Sequence, residues 1–286
     1  MCECRCPDET NQTRYRSAAG TTGLIRLGIL GDPVDESLSP RIHACAFMHR
    51  SREGVYERHQ TTIANVGFTL KRLQQSHLGL NVTAPLKTEV LDYCHGVSAL
   101  AAQLGAANTL VAKKEGWWAE NTDATGLLNV LGGAQSLRGQ TVAVLGAGGA
   151  ARAVVWALEG AGCEEIRIHC RSQRSFSILN NRSLTRKASL QWRPWGDVKD
   201  PVDLVINSTP LGRHEPLPIE LRSPRIIDLN YRPHMTTELC RQSRSIGLIA
   251  QDGRALLLEQ ALLAQQLWFG DLPVGLRDAM TQPLMK

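Results

Sequence analysis

The chain has 286 residues, 43% of them hydrophobic and 21% charged, and its net charge of +5 comes from lysines and arginines scattered along its length. That composition belongs to a globular protein long enough for two domains. No apolar run approaches the roughly 20 residues of a membrane span. The charge suits an anionic small molecule as readily as a polyanion, and the lack of a basic stripe argues against nucleic acid.

Residues 1–23 are polar, carry Glu3, Asp8 and Glu9, and lack an apolar run, which argues against a signal or transit peptide. A disordered extension is expected there. Cys2, Cys4 and Cys6 are spaced more tightly than a zinc CxxC pair, and no His or Cys pair follows nearby, so no metal is expected. Cys45, Cys94, Cys163, Cys170 and Cys240 are far apart and mostly in apolar stretches, the pattern of free thiols in a reducing, cytoplasmic setting.

From Leu24 onward, apolar runs alternate with helical patterns. The expected elements are a strand over 25–30, a helix over 40–49, a strand over 78–82 and helices over 97–104 and 123–131. Gly132, Gly133 and Gly139 then mark a loop. A regular strand-helix alternation follows, with strands over 141–145, 165–170, 202–207, 225–229 and 248–250 and a helix over 149–158. This is the punctuation of a doubly wound parallel sheet. The last helix, 253–269, places Leu256, Gln260, Leu263 and Leu267 at helical spacing, so Gln260 is expected on an apolar face where an amide needs a partner. The fold class is therefore α/β in two domains: a substrate domain of 24–122 with 254–286, and a Rossmann domain of 123–253.

Strand 141–145 runs directly into Gly146-Ala147-Gly148-Gly149-Ala150-Ala151, the GxGxxA form of the dinucleotide fingerprint. Gly146 permits the tight turn, Gly148 lets the backbone approach a pyrophosphate, and Ala151 allows close helix-sheet packing; the phosphates sit on the helix N-terminus. At the end of the next strand an NAD site would carry an acidic residue, whereas here Cys170 is followed by Arg171, Ser172, Gln173 and Arg174. Arginine there suits a 2′-phosphate and favours NADP(H).

Two further segments could carry chemistry. Gly79 to Lys87 ends a strand with one lysine, and Asn108-Thr109 and Asn121-Thr122-Asp123 offer the amides and carboxylate that a buried ammonium needs. Ser37 and Ser39 lie on a turn leading into a helix. They could hold a carboxylate, or Ser39 could simply be an N-cap with Pro40 at N1.

Taken together these segments resemble the shikimate/quinate dehydrogenase family. The matching pieces stand in family order: GDPVDESLSPRIH from Gly31, GLNVTAPLK from Gly79, GAANTL from Gly105, ENTDATG from Glu120, LGAGGAAR from Leu145, DLVINSTPLG from Asp203, DLNYRP from Asp228 and DGRALLLEQA from Asp252. The resemblance implies Ser37 and Ser39 as carboxylate ligands, and Asn81, Thr83, Asn108, Asp123 and Gln260 as ligands of ring hydroxyls. It makes Lys87 and Asp123 the catalytic pair and puts Tyr231 near substrate and nicotinamide. The cofactor would meet Gly146, Ala147, Gly148, Gly149, Ala150, Arg171, Ser172, Arg174, Asn207, Ser208, Thr209 and Gly253.

The implied reaction is reversible reduction of 3-dehydroshikimate by NADPH, in a monomer or homodimer that binds a carboxylated polyol and neither membrane nor nucleic acid. The chain departs from the family pattern at Glu36, Ala44 and Ala119-Glu120. Glu36 is expected to point outward, since an inward carboxylate would repel an anionic substrate. His43 reads as structural. Two serines in the carboxylate cluster lean toward shikimate over quinate or an amino analogue; a ligand-sensing module that performs no chemistry would have no use for a proton donor at Lys87.

Overall fold

The computed structural model describes residues 12–15, 23–182, 188–196, 200–217, 219 and 223–285. The chain divides into two compact units, Met1–Thr122 with Gln260–Lys286, and Asp123–Glu259.

The first unit is built on a sheet whose strands are β1 (Gln12–Tyr15), β2 (Ile25–Gly31), β3 (Gly54–Gln60), β4 (Gly79–Val82), β5 (Gly96–Val97), β6 (Thr109–Lys113) and β7 (Gly116–Glu120). Their order is β1-β3-β2-β4-β6-β7-β5. β2 lies parallel to both β3 and β4, whereas β6 runs antiparallel to β4 and to β7. Side chains alternate between faces along each strand. Leu27, Ile29 and Tyr56 pack with Phe47 and Trp268 on one face, while Leu30, Leu80, Val82 and Leu110 join the core on the other. The helices of this part of the chain are α1 (Ser39–His49), α2 (Val66–Leu73) and α3 (Ala99–Leu104).

The second unit begins with α4 (Thr122–Leu131), whose first residue closes the first unit. Its strands are β8 (Thr141–Leu145), β9 (Glu165–Cys170), β10 (Ser189–Pro194), β11 (Leu204–Asn207), β12 (Arg225–Asp228) and β13 (Ile249–Gln251). They form one parallel sheet in the order β10-β9-β8-β11-β12-β13, the 3-2-1-4-5-6 arrangement of a dinucleotide-binding fold. Val142, Val144, Ile166, Ile168, Leu204 and Ile206 are fully buried, as strands covered on both faces require. Helices α5 (Gly149–Gly160), α6 (Gln173–Arg182) and α7 (Glu238–Ser245) follow β8, β9 and β12. The chain then enters α8 (Arg254–Phe269), whose residues from Gln260 belong to the first unit together with α9 (Leu276–Thr281).

Strands β3, β5, β6, β7 and β10 are not among the elements expected from the sequence, although β6 carries the apolar run Leu110-Val111-Ala112; β5 takes Val97, so the helix expected over 97–104 begins at Ala99. In β3 the run Glu57-Arg58-His59 masks a strand whose Val55 and Tyr56 are almost completely buried. The expected extension over 1–23 lies outside the described residues except at Gln12–Tyr15, which pairs antiparallel with β3, and Gly23; Cys2, Cys4 and Cys6 also lie outside them. Cys45, Cys94, Cys163, Cys170 and Cys240 are free thiols. No helix among the described residues is long and apolar enough to cross a membrane.

Candidate active site

In the first unit a buried hydrogen-bonded network joins three of the expected substrate ligands. Asn81 on β4 receives the Tyr56 hydroxyl at 2.7 Å on Oδ1 and donates through Nδ2 to Thr109 Oγ1 at 3.2 Å and to the Asn108 carbonyl at 3.4 Å. The Asn108 amide donates to Thr122 Oγ1 at 2.9 Å and to Gln260 Oε1 at 3.4 Å, and accepts the Thr122 N–H at 2.7 Å. Asn81, Asn108 and Gln260 are all at most 7% exposed, so each amide has to find partners inside the fold. Sheet register creates the assembly: Tyr56 stands beside Leu27, and Asn81 beside Ile29, so the phenol reaches diagonally across β2.

The turn after β4 fixes Lys87. Thr83 N–H is bonded to the Leu30 carbonyl at 2.8 Å and Leu86 N–H to the Thr83 carbonyl at 3.0 Å. Leu86 is fully buried, and the Lys87 carbonyl accepts the Ala107 N–H at 2.7 Å. A half-buried ammonium-bearing side chain is thus carried by a backbone held on both sides. Ser37 and Ser39 sit where β2 leads into α1, with Ser39 N–H donating to Ser37 Oγ at 3.2 Å. Ser39 is not an N-cap: Leu38 holds that position and no side chain caps the helix. The turn draws the Ser37 hydroxyl back onto its own backbone instead.

In the second unit β8 is followed by Gly146 at φ +103°, where a Cβ would lie 2.8 Å from Ser208 Oγ and 2.9 Å from Thr209 Cγ2. Only glycine fits that backbone and that space. It brings the turn after β8 against the turn after β11, the point where strand order reverses and ligands of such sheets bind. Beyond it the opposite condition holds. A Cβ on Gly148 or Gly149 would meet nothing within 4 Å, and no side chain caps α5, so the helix N–H groups face open space, as a pyrophosphate cradle requires. Ala147 and Ala150 flank them half-buried, and Ala151 is fully buried. Arg171, Ser172 and Arg174 are exposed beyond β9, with Ser172 Oγ accepting the Ser175 N–H at 3.2 Å.

Asn207 ends β11 fully buried. Its Oδ1 accepts the Thr209 hydroxyl at 2.8 Å, and its Nδ2 donates to the Leu211 carbonyl at 2.7 Å and Asp228 Oδ1 at 3.0 Å. Asn230 donates to the Thr209 carbonyl at 2.7 Å, so the loops after β11 and β12 are tied together. Ser208 Oγ donates to the Leu145 carbonyl at 2.6 Å. Burial pushes the Asp228 carboxyl above the usual range, against hydrogen bonds from Thr237, Asn230 and Asn207 that pull it down. Gly253 could carry no side chain, because a Cβ would lie 2.2 Å from the Leu229 carbonyl oxygen. Asp123 stands in the first turn of α4, and Tyr231 follows β12 with its carbonyl accepting Arg213 Nε at 3.0 Å. The fit to a dinucleotide rests on the uncapped helix start, the open glycines and the arginines beyond β9.

Known proteins bear on both units at once. A family profile described as the shikimate dehydrogenase substrate binding domain matches residues 29–110. The NADP-dependent shikimate dehydrogenase of Thermus thermophilus is 35% identical over 270 residues, covering 91% of this chain and 99% of that enzyme. The chain belongs to the shikimate dehydrogenase family. A Synechocystis member is 35% identical over 291 residues, covering 94% of this chain and 97% of its own. The crystal structure of the Thermus thermophilus shikimate 5-dehydrogenase in complex with NADP(H) and shikimate matches with a TM-score of 0.78 at 34% identity, over 91% of this chain and 99% of that one.

Within this family member, Glu36 is exposed and Ala44 is buried at 2%. His43 is fully buried, stacked on the Tyr56 ring with centroids 4.5 Å apart, and its Nδ1 meets the Gln265 amide at 2.9 Å. Burial pulls the imidazole down to about 3, against a smaller opposing pull from the Asn81 side chain, so His43 is neutral and structural near pH 7.

The expected apolar stripe on α8 is corrected. Leu267 is 38% exposed, while Leu257, Gln260, Ala261, Ala264, Gln265 and Trp268 are buried. Gln260 is inside, but with different neighbours from those its spacing suggested. Thr109, Thr122 and Asp228 lie in segments that the sequence singles out, GAANTL, ENTDATG and DLNYRP, but no role is expected of them there, and Tyr56 has no sequence signal at all.

Proposed function

We propose that the protein is an NADP-dependent shikimate dehydrogenase, catalysing the reversible reduction of 3-dehydroshikimate by NADPH. The observation that carries this reading is the end-to-end match to a relative solved with NADP(H) and shikimate. The chain's own residues supply both chemistries that such a reaction needs.

The backbone N–H groups at Gly146, Gly148 and Gly149 would hold a pyrophosphate, and Arg171, Ser172 and Arg174 the 2′-phosphate through charge-assisted bonds. Ala147, Ala150, Ser208, Thr209 and Gly253 would line the cofactor site, with Asn207 holding their loop in shape. When bound, NADPH supplies the hydride. Ser37 and Ser39 would take the substrate carboxylate; Asn81, Thr83, Asn108, Asp123 and Gln260 would take the ring hydroxyls, with Tyr231 beside the ring. Lys87 Nζ donates a proton to the oxygen of the ring ketone as hydride arrives at its carbon and that oxygen becomes an alkoxide, and its positive charge stabilises the developing negative one. In the oxidative direction the neutral amine takes the hydroxyl proton. By the family resemblance an Asp123 carboxylate would pair with Lys87 and offset the cost of withdrawing the ammonium from water.

We place the enzyme in the cytoplasm as a monomer or homodimer. The paired hydroxyls of Ser37 and Ser39 favour shikimate over quinate. Following NADP⁺ reduction with shikimate and quinate side by side tests the reading: faster turnover of shikimate is expected. Faster turnover of quinate would overturn the substrate assignment, and NADPH binding without turnover of either acid would make the protein a ligand-sensing module.

A further inference from the structure

On β3 the residues alternate between the two faces of the sheet. Tyr56 faces the Asn81 network, so Glu57 and His59 face the other side of the sheet. There the side chains of Glu57 and His59 meet His77, which precedes β4. His77 Nε2 lies 3.0 Å from Glu57 Oε2 and 3.2 Å from His59 Nε2, and the three atoms lie within 4.8 Å of one another. The space exists because β2, which separates β3 from β4, carries Gly28 at the crossing. A Cβ there would stand 2.8 Å from the His59 ring.

We propose that Glu57, His59 and His77 form a three-ligand site for a divalent transition-metal ion, with Zn²⁺ the best fit.

Four observations support it. With zinc bonds of about 2.0–2.1 Å, neighbouring ligands of a tetrahedral site stand roughly 3.3 Å apart, close to the separations of 3.0 and 3.2 Å found here. Two imidazoles and a carboxylate are a known zinc donor set that leaves a fourth position for water, and His59 is only partly buried, so that position can reach solvent. Ser76 Oγ stands 3.0 Å from His77 Nδ1 and 3.5 Å from the Leu73 carbonyl to which it donates. It can then accept the Nδ1 proton, aim the Nε2 lone pair at the centre and act as the outer partner that metal-bound histidines use.

The last observation is proton counting. With both imidazoles neutral, a single proton on the facing Nε2 atoms must serve both close contacts of His77, whereas a cation satisfies all three atoms. Arg26, bonded to both Glu57 oxygens at 3.2–3.3 Å, and Arg72, whose charge acts on His59, oppose a cation and moderate its affinity. The ligands stand 20 and 18 residues apart along the chain, which is why no spacing motif betrays them.

The test is zinc titration of the chelator-treated full chain against a chromophoric competitor, together with Co²⁺ substitution. The proteins compared are wild type, His59→Gln, His77→Gln and a Cys2→Ser/Cys4→Ser/Cys6→Ser variant, each checked for folding by circular dichroism. One equivalent is expected in wild type and in the cysteine variant, with intense tetrahedral Co²⁺ bands. Either histidine variant should lose at least roughly tenfold in affinity, since even outer-shell changes cost 10–100-fold. Because both histidine changes could disturb packing, Glu57→Gln, which keeps shape and removes only charge, should weaken binding as well. Zinc binding unchanged in all three ligand variants, abolished by the cysteine changes, or absent from wild type would overturn the site.

Discussion

Replacing Tyr56 by Phe removes one oxygen atom from the buried network around Asn81 and almost nothing else. The Tyr56 ring is fully buried and stacked on His43, and its hydroxyl donates to Asn81 Oδ1 at 2.7 Å. Phe keeps the ring and its packing, so the cavity term is small. What is lost is the hydrogen bond, and a buried carbonyl oxygen is left short of a donor, at a cost of about 1–3 kcal/mol. For a chain of this length that corresponds to a fall in melting temperature of roughly 2–5 °C.

Two anchors remain on the Asn81 amide, the Asn108 carbonyl and Thr109 Oγ1, so the side chain stays in place but is held less firmly. If Asn81 receives a substrate hydroxyl, KM for shikimate should rise severalfold while kcat changes little. Urea unfolding and steady-state kinetics on the same preparation read both effects. A variant as stable as the parent with an unchanged KM would show that the Tyr56 hydroxyl does not hold the amide, and would remove the network from substrate binding.

Three further outcomes are expected. Gly146→Val should weaken NADPH binding at least tenfold in a fluorescence titration and destabilise the fold, because the branched side chain would meet Ser208 and Thr209 at a backbone φ of +103° that suits only glycine. Arg171→Ala should narrow the preference for NADPH over NADH by roughly 10–100-fold, the worth of about 1.5–3 kcal/mol of charge-assisted bonding; an unchanged preference would make Arg171 an ordinary surface charge. Acid should destabilise the protein through His43: its folded value of about 3 lies below the unfolded 6.5, so the unfolded chain binds the proton first. The stability present above pH 6.5 is then lost as pH falls toward 3, and His43→Phe should flatten that part of the stability profile.

Much of the second unit was open to reading because its signals are local. β8 and β9 have the limits their apolar runs suggest, and the glycines between β8 and α5 announce a turn whatever surrounds them. The first unit depends on distant residues. β3 hides behind Glu57, Arg58 and His59 because their partners, Arg26 and His77 among them, lie on other elements. α8 is apolar on most of its circumference, so spacing alone selects the wrong stripe, and only packing reveals that Leu267 is outside and Ala264 inside. Tyr56 shows no sign of its bond to Asn81 until the register of three strands is known. Asn81, Asn108 and Gln260 could be picked out by resemblance with a role attached, whereas Thr109 and Thr122 stand in the same segments with none, because their bonds to the amides depend on the fold.

The central claim is that Lys87 moves the proton in an NADP-linked oxidation of shikimate, and Lys87→Ala measured by NADP⁺ reduction at saturating shikimate tests it most directly. Loss of a positioned acid-base group lowers turnover by about 10²–10⁴-fold, and removal of an interaction made only as the alkoxide charge develops should leave shikimate binding within a few fold of the parent. Turnover within tenfold of the parent would contradict the assignment of that role to Lys87.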